Sequence, residues 1–104
     1  MSFHLKEDEN LLYHVKANLY RGIEGVGGDF RVTDKRVLFH PHALNVQKDP
    51  EEIDLPDIVA IVKKNTLGIF PNGIFMKLKD GRELHFVVNK RDRIINLINH
   101  HIKG

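Results

Sequence analysis

Residues 74–88 read IFMKLKDGRELHFVV, and this stretch contains the clearest structural signal in the chain. Its centre, Asp80-Gly81, is typical of a hairpin, because a type I′ turn needs positive φ at both central residues. Side chains alternate between two faces along a strand. One face is apolar on both sides of the turn, formed by Ile74, Met76 and Leu78 and then by Leu84, Phe86 and Val88. The stretch therefore predicts two antiparallel strands packed on a core.

The hydrophobic period changes after Val88 from that of a strand to that of a helix. Asn89 suits the N-cap, and Asp92 three residues later can reach back toward it. At about 100° per residue, five apolar side chains share an arc of about 160°: Ile94, Ile95, Leu97, Ile98 and Ile102. We expect a helix of about 13 residues, which is too short to be stable alone in water and therefore docks on the sheet.

Short extended runs precede the hairpin, and the first is a predicted strand over 11–21. The stretch Gly25–Gly28 is interpreted as strand glycines that permit a sharp bend or a bulge. Phe30 and Val32 resume the alternation before a short polar connection at Thr33–Lys35. Further elements are predicted as strands at Val37–Phe39, Glu52–Leu55 and Ile58–Val62, a loop over 42–51 and a turn at Pro71–Gly73. About seven strands and one C-terminal helix favour a mainly β fold, a small bent sandwich or partly open barrel that the helix plugs.

Composition excludes several classes of protein. The 104 residues are 41% hydrophobic and 29% charged, which is too apolar for an intrinsically disordered chain. The absence of Cys excludes disulfides, thiolate zinc sites and cysteine nucleophiles. No apolar run approaches the roughly 20 residues of a membrane-spanning helix, and the N-terminus lacks the pattern of a secretory signal. We expect one small soluble domain in the cytoplasm.

Charge is distributed unevenly along the chain, although the formal net charge is only +2. Residues 1–57 hold 7 Lys/Arg against 11 Asp/Glu, whereas residues 58–104 hold 9 against 3. The small net charge gives no reason to expect a nucleic-acid partner, but one end or face of the domain is expected to be basic. A solvated surface of mixed charge would give the same balance.

Several segments resemble the GRAM family of the pleckstrin-homology-like (PH-like) superfamily. The matching segments are Gly28–Phe39 (GDFRVTDKRVLF), Glu52–Ile58 (EIDLPDI), Asn72–Ile74, Asp80-Gly81 and Phe86–Asn89 running into the terminal helix. The resemblance extends approximately over residues 14–102. A stand-alone domain of this size is similar to bacterial members of the family. The resemblance implies a seven-stranded, two-sheet bent barrel closed at one end by a C-terminal helix. Residues 1–10 would be an N-terminal extension, and residues 11–104 the domain.

The resemblance also implies binding rather than catalysis, because some members recognise phosphoinositides or membrane surfaces and others contact proteins. The classical phosphoinositide site uses a basic strand–loop–strand at the first hairpin. Here Lys16, Arg21 and Arg31 flank a loop, Gly22–Gly25, that is acidic and nearly free of donors. This departure argues against inositol-phosphate binding at the usual place.

Basic residues of the second half form the first candidate site: Lys63, Lys64, Lys77, Lys79, Lys90, Arg91 and Arg93. Such a cluster could dock anionic lipid headgroups, at about 1 kcal/mol per base. Lysines at strand ends equally protect exposed sheet edges and keep a surface soluble. Lys90 and Arg91 fall in the first helical turn, where the helix dipole disfavours cations, and this mild cost indicates a partner only weakly.

An apolar segment at 66–75, TLGIFPNGIF, forms the second candidate site. Its side chains Leu67, Ile69 and Phe70 could insert into a partner or a membrane interface. More often, such residues fold back over the core. We expect this loop and the neighbouring lysines to form the contact surface.

Catalytic and metal sites find little support. Nucleophile, phosphate-loop and zinc-protease motifs are absent, and Ser2 is the only serine. His40 and His42 share a strand face, but no carboxylate is spaced to complete a zinc site, and Pro41 between them indicates a strand exit. We expect no enzyme activity, no catalytic residue, no metal and no cofactor.

The sequence thus predicts a non-enzymatic interaction module. The first hypothesis is that its partner is another protein, or a second copy that binds through an exposed strand edge or the loop at 66–73. The alternative is an anionic membrane surface, which would place the chain at the inner face of the membrane. A small-molecule carrier would need a cavity, and a core filled by large side chains argues against one: Phe39, Met76, Leu84 and Phe86.

Overall fold

A computed structural model describes residues 4–21, 24–42, 49–66 and 68–103. Within these ranges the chain forms seven strands, one 3-10 turn and one helix. In chain order they are β1 (Leu11–Arg21), β2 (Glu24–Thr33), β3 (Arg36–Pro41), β4 (Glu51–Asp54), the 3-10 turn (Leu55–Asp57), β5 (Ile58–Thr66), β6 (Phe70–Leu78), β7 (Glu83–Val88) and α1 (Arg91–Lys103).

The strands named above form one antiparallel sheet in the order β4-β3-β2-β1-β7-β6-β5. β1 joins the two halves, since it pairs with β2 along its length and with β7 over Ala17–Tyr20. β4 and β5 lie at opposite ends of this order, yet the three residues Leu55–Asp57 connect them. The two ends of the sheet must therefore meet at that corner, and the sheet is bent around the core.

The core lies between the inner face of the bent sheet and α1. Its large fully buried side chains come from five strands and the helix and include Phe30, Phe39, Phe86, Leu19, Met76 and Ile94. The Phe30 and Phe86 rings meet edge to face with centroids 4.9 Å apart. α1 packs on β6 and on the 3-10 turn, and its buried side chains include Ile95 and Ile98. The mainly β fold with a docked C-terminal helix is confirmed.

Gly28 marks a close approach of two strands rather than a bulge. A Cβ atom at this position would lie 2.4 Å from the carbonyl oxygen of His40, so any larger residue would push β2 and β3 apart. The β1–β2 register runs without a shift from Tyr13 to Arg21, and its irregularity lies between Leu11 and Tyr13. The glycine stretch was predicted to form a sharp bend or a bulge, and this part of β2 contains no bulge.

The predicted turn at Pro71–Gly73 is wrong, because these residues lie inside β6. Gly73 pairs with Lys64, and a Cβ on Gly73 would meet the Lys64 carbonyl oxygen at 2.5 Å. Pro71 falls where the β5–β6 register shifts between Lys64 and Thr66, so the ladder needs no N–H from it. Strand pairing thus overrides the local turn signal.

Other boundaries also differ from the prediction. Leu55 belongs to the 3-10 turn rather than to β4, and β5 extends past Val62 to Thr66. Most of the predicted loop over 42–51 lies outside the described residues.

The helix begins at Arg91, and the expectation that Asn89 is its N-cap is wrong. The Lys90 carbonyl accepts hydrogen bonds from the N–H groups of Arg93 (3.1 Å) and Ile94 (3.4 Å), which makes Lys90 the cap residue. Lys90 has φ +56°, a left-handed conformation that turns the chain sharply from β7 into the helix.

The segment before β1 is attached to the sheet by a buried ion pair. Arg36 donates from Nε to Glu9 Oε2 (2.7 Å) and from Nη2 to Glu9 Oε1 (2.8 Å), and Thr33 Oγ1 donates to the same carboxylate (2.7 Å). The Glu9 side chain is fully buried. Arg36 also donates to the His4 carbonyl and to Glu52. Residues 4–10 thus contact the domain, while the boundary at residue 11 stays a prediction.

Replacing Glu9 by Gln should lower the free energy of unfolding by about 3 kcal/mol, because it leaves the buried Arg36 charge without its main partner. The matched control is Glu7→Gln, at an exposed carboxylate two residues away, which should change stability by no more than about 0.5 kcal/mol. Urea denaturation of both variants measures the difference. Equal effects at the two positions would show that the ion pair does not hold the segment in place.

Acid should remove this stabilisation over a defined range. The hydrogen bonds from Arg36 lower the pKa of Glu9 from 4.5 to about 2. A carboxylate whose pKa is lower in the folded state contributes stability above its unfolded pKa and loses it as the pH falls through the folded value. The stability difference between the native chain and Glu9→Gln should therefore shrink as pH falls from 4.5 toward 2. A difference that stays constant over this range would contradict the assignment.

Candidate functional site

β5 is the strand at one end of the sheet and pairs with β6 on one side only within the described residues. An edge strand presents outward-facing N–H and C=O groups to solvent and can therefore pair with another chain. β4, at the other end of the sheet, has four residues and does not pair with β5 in the described ranges. The nine residues of β5 thus offer the longer open edge.

Exposed apolar side chains gather along this edge and at the β5–β6 tip. The three most exposed large apolar side chains of the described residues are Ile69 (71%), Val59 (64%) and Phe70 (48%), and Val62 is 43% exposed. Val59 projects outward because the β5–β6 register shifts between Ile58 and Ala60. We call Val59, Val62, Ile69 and Phe70, together with Lys63 and Lys64, the β5 surface.

The structure brings some of the predicted site residues together and separates others. Lys63 and Lys64 lie in β5, Ile69 and Phe70 lie at the tip, and beside it are Lys90, which caps α1, and Arg91, the first residue of α1. Lys77 and Lys79 lie at the other end of β6, about 25 Å from Phe70 at the rise of an extended strand. Leu67 lies outside the described residues. The predicted basic set is therefore divided between two places.

The Arg91 side chain forms hydrogen bonds within the domain. Its Nη1 donates to the Lys64 carbonyl (2.8 Å), the Gly73 carbonyl (3.3 Å) and Asn65 Oδ1 (3.3 Å). These acceptors lie beside the β5–β6 register shift, where the regular ladder is interrupted. Arg91 thus holds the hairpin against the start of α1 and is a positioning residue rather than a ligand contact.

The two lysines of β5 differ in what they contact. Lys63 pairs with Asp92 of α1 (2.8 Å), and this hydrogen bond lowers the pKa of Asp92. The Lys64 ammonium group lies over the ring of Phe75, 4.6 Å from its centroid. No carboxylate lies within ion-pair distance of Lys64 in the described residues. Of the bases beside the tip, Lys64 therefore keeps its charge open to a partner.

Comparison with known proteins gives structural relatives only. No family model matches the chain, and no curated protein matches it. A solved structure of the C-terminal domain of an unknown protein from Leishmania infantum is similar, with a TM-score of 0.80 and 17% identity over 94% of this chain and 88% of that one. The Vps36 N-terminal PH domain is similar with a TM-score of 0.72 and 15% identity, over 96% of this chain and 83% of that one.

The chain has a PH-like fold. At these identities the likeness concerns the fold, and it agrees with the sheet and docked helix described above. The PH-like fold is therefore confirmed, whereas membership of the GRAM family is not shown.

The outer face of the sheet carries a row of rings that sequence reasoning missed. Tyr20, His85 and Phe75 are cross-strand neighbours, with ring centroids 5.4 Å and 4.6 Å apart. His85 Nε2 is buried without a hydrogen-bond partner in the described part of the chain, and burial, then the charge of Lys64, lowers the His85 pKa. The row leads across the sheet to Val62 at the β5 edge. Alternation within each strand predicts which side chains face outward, but only the strand register shows that these rings are neighbours.

Of the two histidines considered for a metal site, His42, which follows β3, joins an ion-pair cluster with His14 of β1. Asp29 accepts a hydrogen bond from His14 (2.9 Å), and Lys16 (3.4 Å) and His42 (3.8 Å) lie beside the same carboxylate. The imidazoles of His14 and His42 therefore both approach the Asp29 carboxylate. Among the described residues no group of three or more His, Asp or Glu side chains is arranged to hold a metal ion. No helix in these ranges is long and apolar enough to span a membrane.

Arg91→Ala should lower the free energy of unfolding by about 1.5 kcal/mol, because carbonyl groups at the register shift lose a charged donor. Arg93→Ala, at an exposed arginine on the same helical turn, is the control and should cost less than half as much. Urea denaturation gives both values, and amide hydrogen exchange should accelerate at Lys64 and Gly73 only in the Arg91 variant. Similar effects of the two substitutions would contradict the positioning role.

Proposed function

We propose that the chain is a non-enzymatic module that binds an extended segment of another protein along β5. The observation that carries this proposal is the coincidence of an open strand edge with the most exposed apolar side chains of the described residues. In strand addition, main-chain hydrogen bonds supply affinity, and side chains at alternate positions supply specificity. The β5 surface offers both kinds of contact.

The energies of these contacts favour a protein segment as the occupant. Val62 and Val59 expose enough apolar surface to contribute about 1 kcal/mol each when a partner covers them. Ile69 and Phe70 extend the same apolar surface beyond the end of the strand. Ile69, which is 71% exposed, gains little from its own fold, and with Phe70 it forms an exposed apolar patch of the kind that marks an interface.

We assign the chain to a GRAM-like branch of the PH-like superfamily on its sequence segments. The segment around Thr33 forms the β2–β3 turn, where Thr33 Oγ1 accepts hydrogen bonds from the N–H groups of Lys35 (3.1 Å) and Arg36 (2.9 Å). Leu55–Asp57, from the second segment, forms the corner between β4 and β5. These residues support the fold and do not identify a partner.

The second candidate function is binding to an anionic membrane surface, with the chain peripheral at the inner face. The observation that favours it is the placement of Lys63 and Lys64 beside the exposed Ile69 and Phe70. Lys63 is already paired with Asp92, Arg91 is engaged in the fold, and Lys77 and Lys79 lie at the other end of β6, which leaves Lys64 and Lys90 beside the tip. Few free bases surround the apolar tip, which supports the protein partner over the membrane.

A photo-crosslinking amino acid in place of Val62 tests the proposal in a lysate of the cells that the chain comes from. We expect an adduct with a second polypeptide that persists at high salt, because salt screens exposed charges and leaves apolar contacts intact. Ile69→Ser combined with Phe70→Ser should remove the adduct. The control carries the crosslinker at Leu12, which is similarly exposed on β1, and should give no such adduct.

Two results would contradict the protein-binding proposal. The first is an adduct of equal yield from Leu12 and from Val62, which would show that the crosslinker reports exposure alone. The second is co-flotation with vesicles rich in phosphatidylserine that is abolished at high salt, together with crosslinks to lipid and to no protein. That pattern would support the membrane function instead.

A further inference from the structure

The β5–β6 hairpin carries charge of one sign. Residues 58–79 contain Lys63, Lys64, Lys77 and Lys79 and no Asp or Glu. Among the described residues, neighbouring elements bring carboxylates to the hairpin, with Asp92 paired to Lys63 and Glu83 opposite Lys77 in the β6–β7 register. Any chain that pairs with β5 therefore meets a basic strand.

The hairpin lysines on the outer face of the sheet lie at defined register positions relative to the edge strand β5. Ala60, Val62 and Lys64 alternate on this face of β5, and the register places Lys77 beside Ala60. Ala60 is small, so the long side chain of Lys77 can extend across it toward the edge. In the described residues neither Lys64 nor Lys77 has a carboxylate within ion-pair distance. In the register, Lys64 and, beside Ala60, Lys77 thus lie on either side of the apolar Val62.

A second copy of the chain fits this edge poorly. If β5 paired with β5 of another copy, each strand would bring Lys63 and Lys64 and no acidic residue to the shared interface. Like charges placed across paired strands are destabilising, whereas opposite charges are stabilising. The charge of the edge therefore selects an acidic segment from another protein.

We propose that β5 receives an extended acidic segment with carboxylates two residues to either side of an apolar side chain. The apolar side chain lies against Val62, and the carboxylates face Lys64 and Lys77. Because the two carboxylates are placed symmetrically about the apolar side chain, the segment fits whether it adds to β5 in the parallel or the antiparallel direction. This inference rests on the proposed function, because it assumes that the partner adds as a strand.

Synthetic peptides test the charge and the strand pairing separately. The first is a nine-residue peptide, as long as β5, with the centre Glu-Thr-Val-Thr-Glu, and the second has Lys in place of both Glu. The third is the acidic peptide with alternate backbone amides N-methylated, which removes the donors that a strand ladder needs. Backbone amide shifts of the full-length chain in NMR titrations report binding and its location.

We expect the acidic peptide to bind and to shift the amides of β5 most strongly. The lysine peptide should bind at least about tenfold more weakly, and N-methylation should abolish binding. Lys64→Glu combined with Lys77→Glu should reverse the preference between the two charged peptides. The control Lys35→Glu changes an exposed lysine in the β2–β3 turn and should leave both affinities unchanged.

The remaining outcomes separate the two proposals. Equal binding of both charged peptides that N-methylation abolishes would overturn the acidic preference and leave strand addition intact. Binding of the N-methylated acidic peptide with undiminished affinity would show simple charge attraction and overturn strand addition. No binding of the acidic peptide, or a β5-mediated dimer in sedimentation experiments, would overturn the acidic occupant.

Discussion

The three residues Leu55–Asp57 impose the constraint on which the rest of the structure depends. They connect the two end strands of the sheet, so the sheet must bend until β4 and the start of β5 share a corner. Backbone hydrogen bonds hold the corner on both sides, from the Leu55 N–H to the Lys35 carbonyl and from the Lys79 N–H to the Asp57 carbonyl. α1 packs on this corner and on β6. Because β4 ends after four residues and does not pair with β5 in the described ranges, the edge of β5 is left open.

Much of the fold could be predicted, because its strands and its helix have local sequence patterns. The predicted strand over 11–21 coincides with β1, and the helical apolar face supplies the buried Ile94, Ile95 and Ile98. The predictions fail where distant residues decide the local structure. Pro71–Gly73 lies in a strand because β5 pairs beside it. The buried pair of Glu9 and Arg36 joins residues 27 positions apart, which no periodicity reveals.

The candidate site could be predicted in composition but not in geometry. Ile69 and Phe70 are exposed, which answers whether they cover the core or face solvent. The sequence grouped Arg91 with the lysines because both are bases, yet its guanidinium satisfies backbone carbonyls at a register shift. Strand register also separates Lys77 from the tip while placing it beside Ala60. Charge and hydrophobicity can be read along a chain, whereas neighbours across a sheet depend on register.

The central claim is that the outer edge of β5 is open in the free chain and is covered by a partner strand. Amide hydrogen exchange, followed residue by residue along β5, tests it most directly. In the free chain we predict that alternate amides of β5 exchange as fast as exposed loop amides, and that they become protected when the crosslinked partner, once purified, is added. Slow exchange of every β5 amide in the free chain, or protection by the partner at β4 with β5 unchanged, would contradict the account.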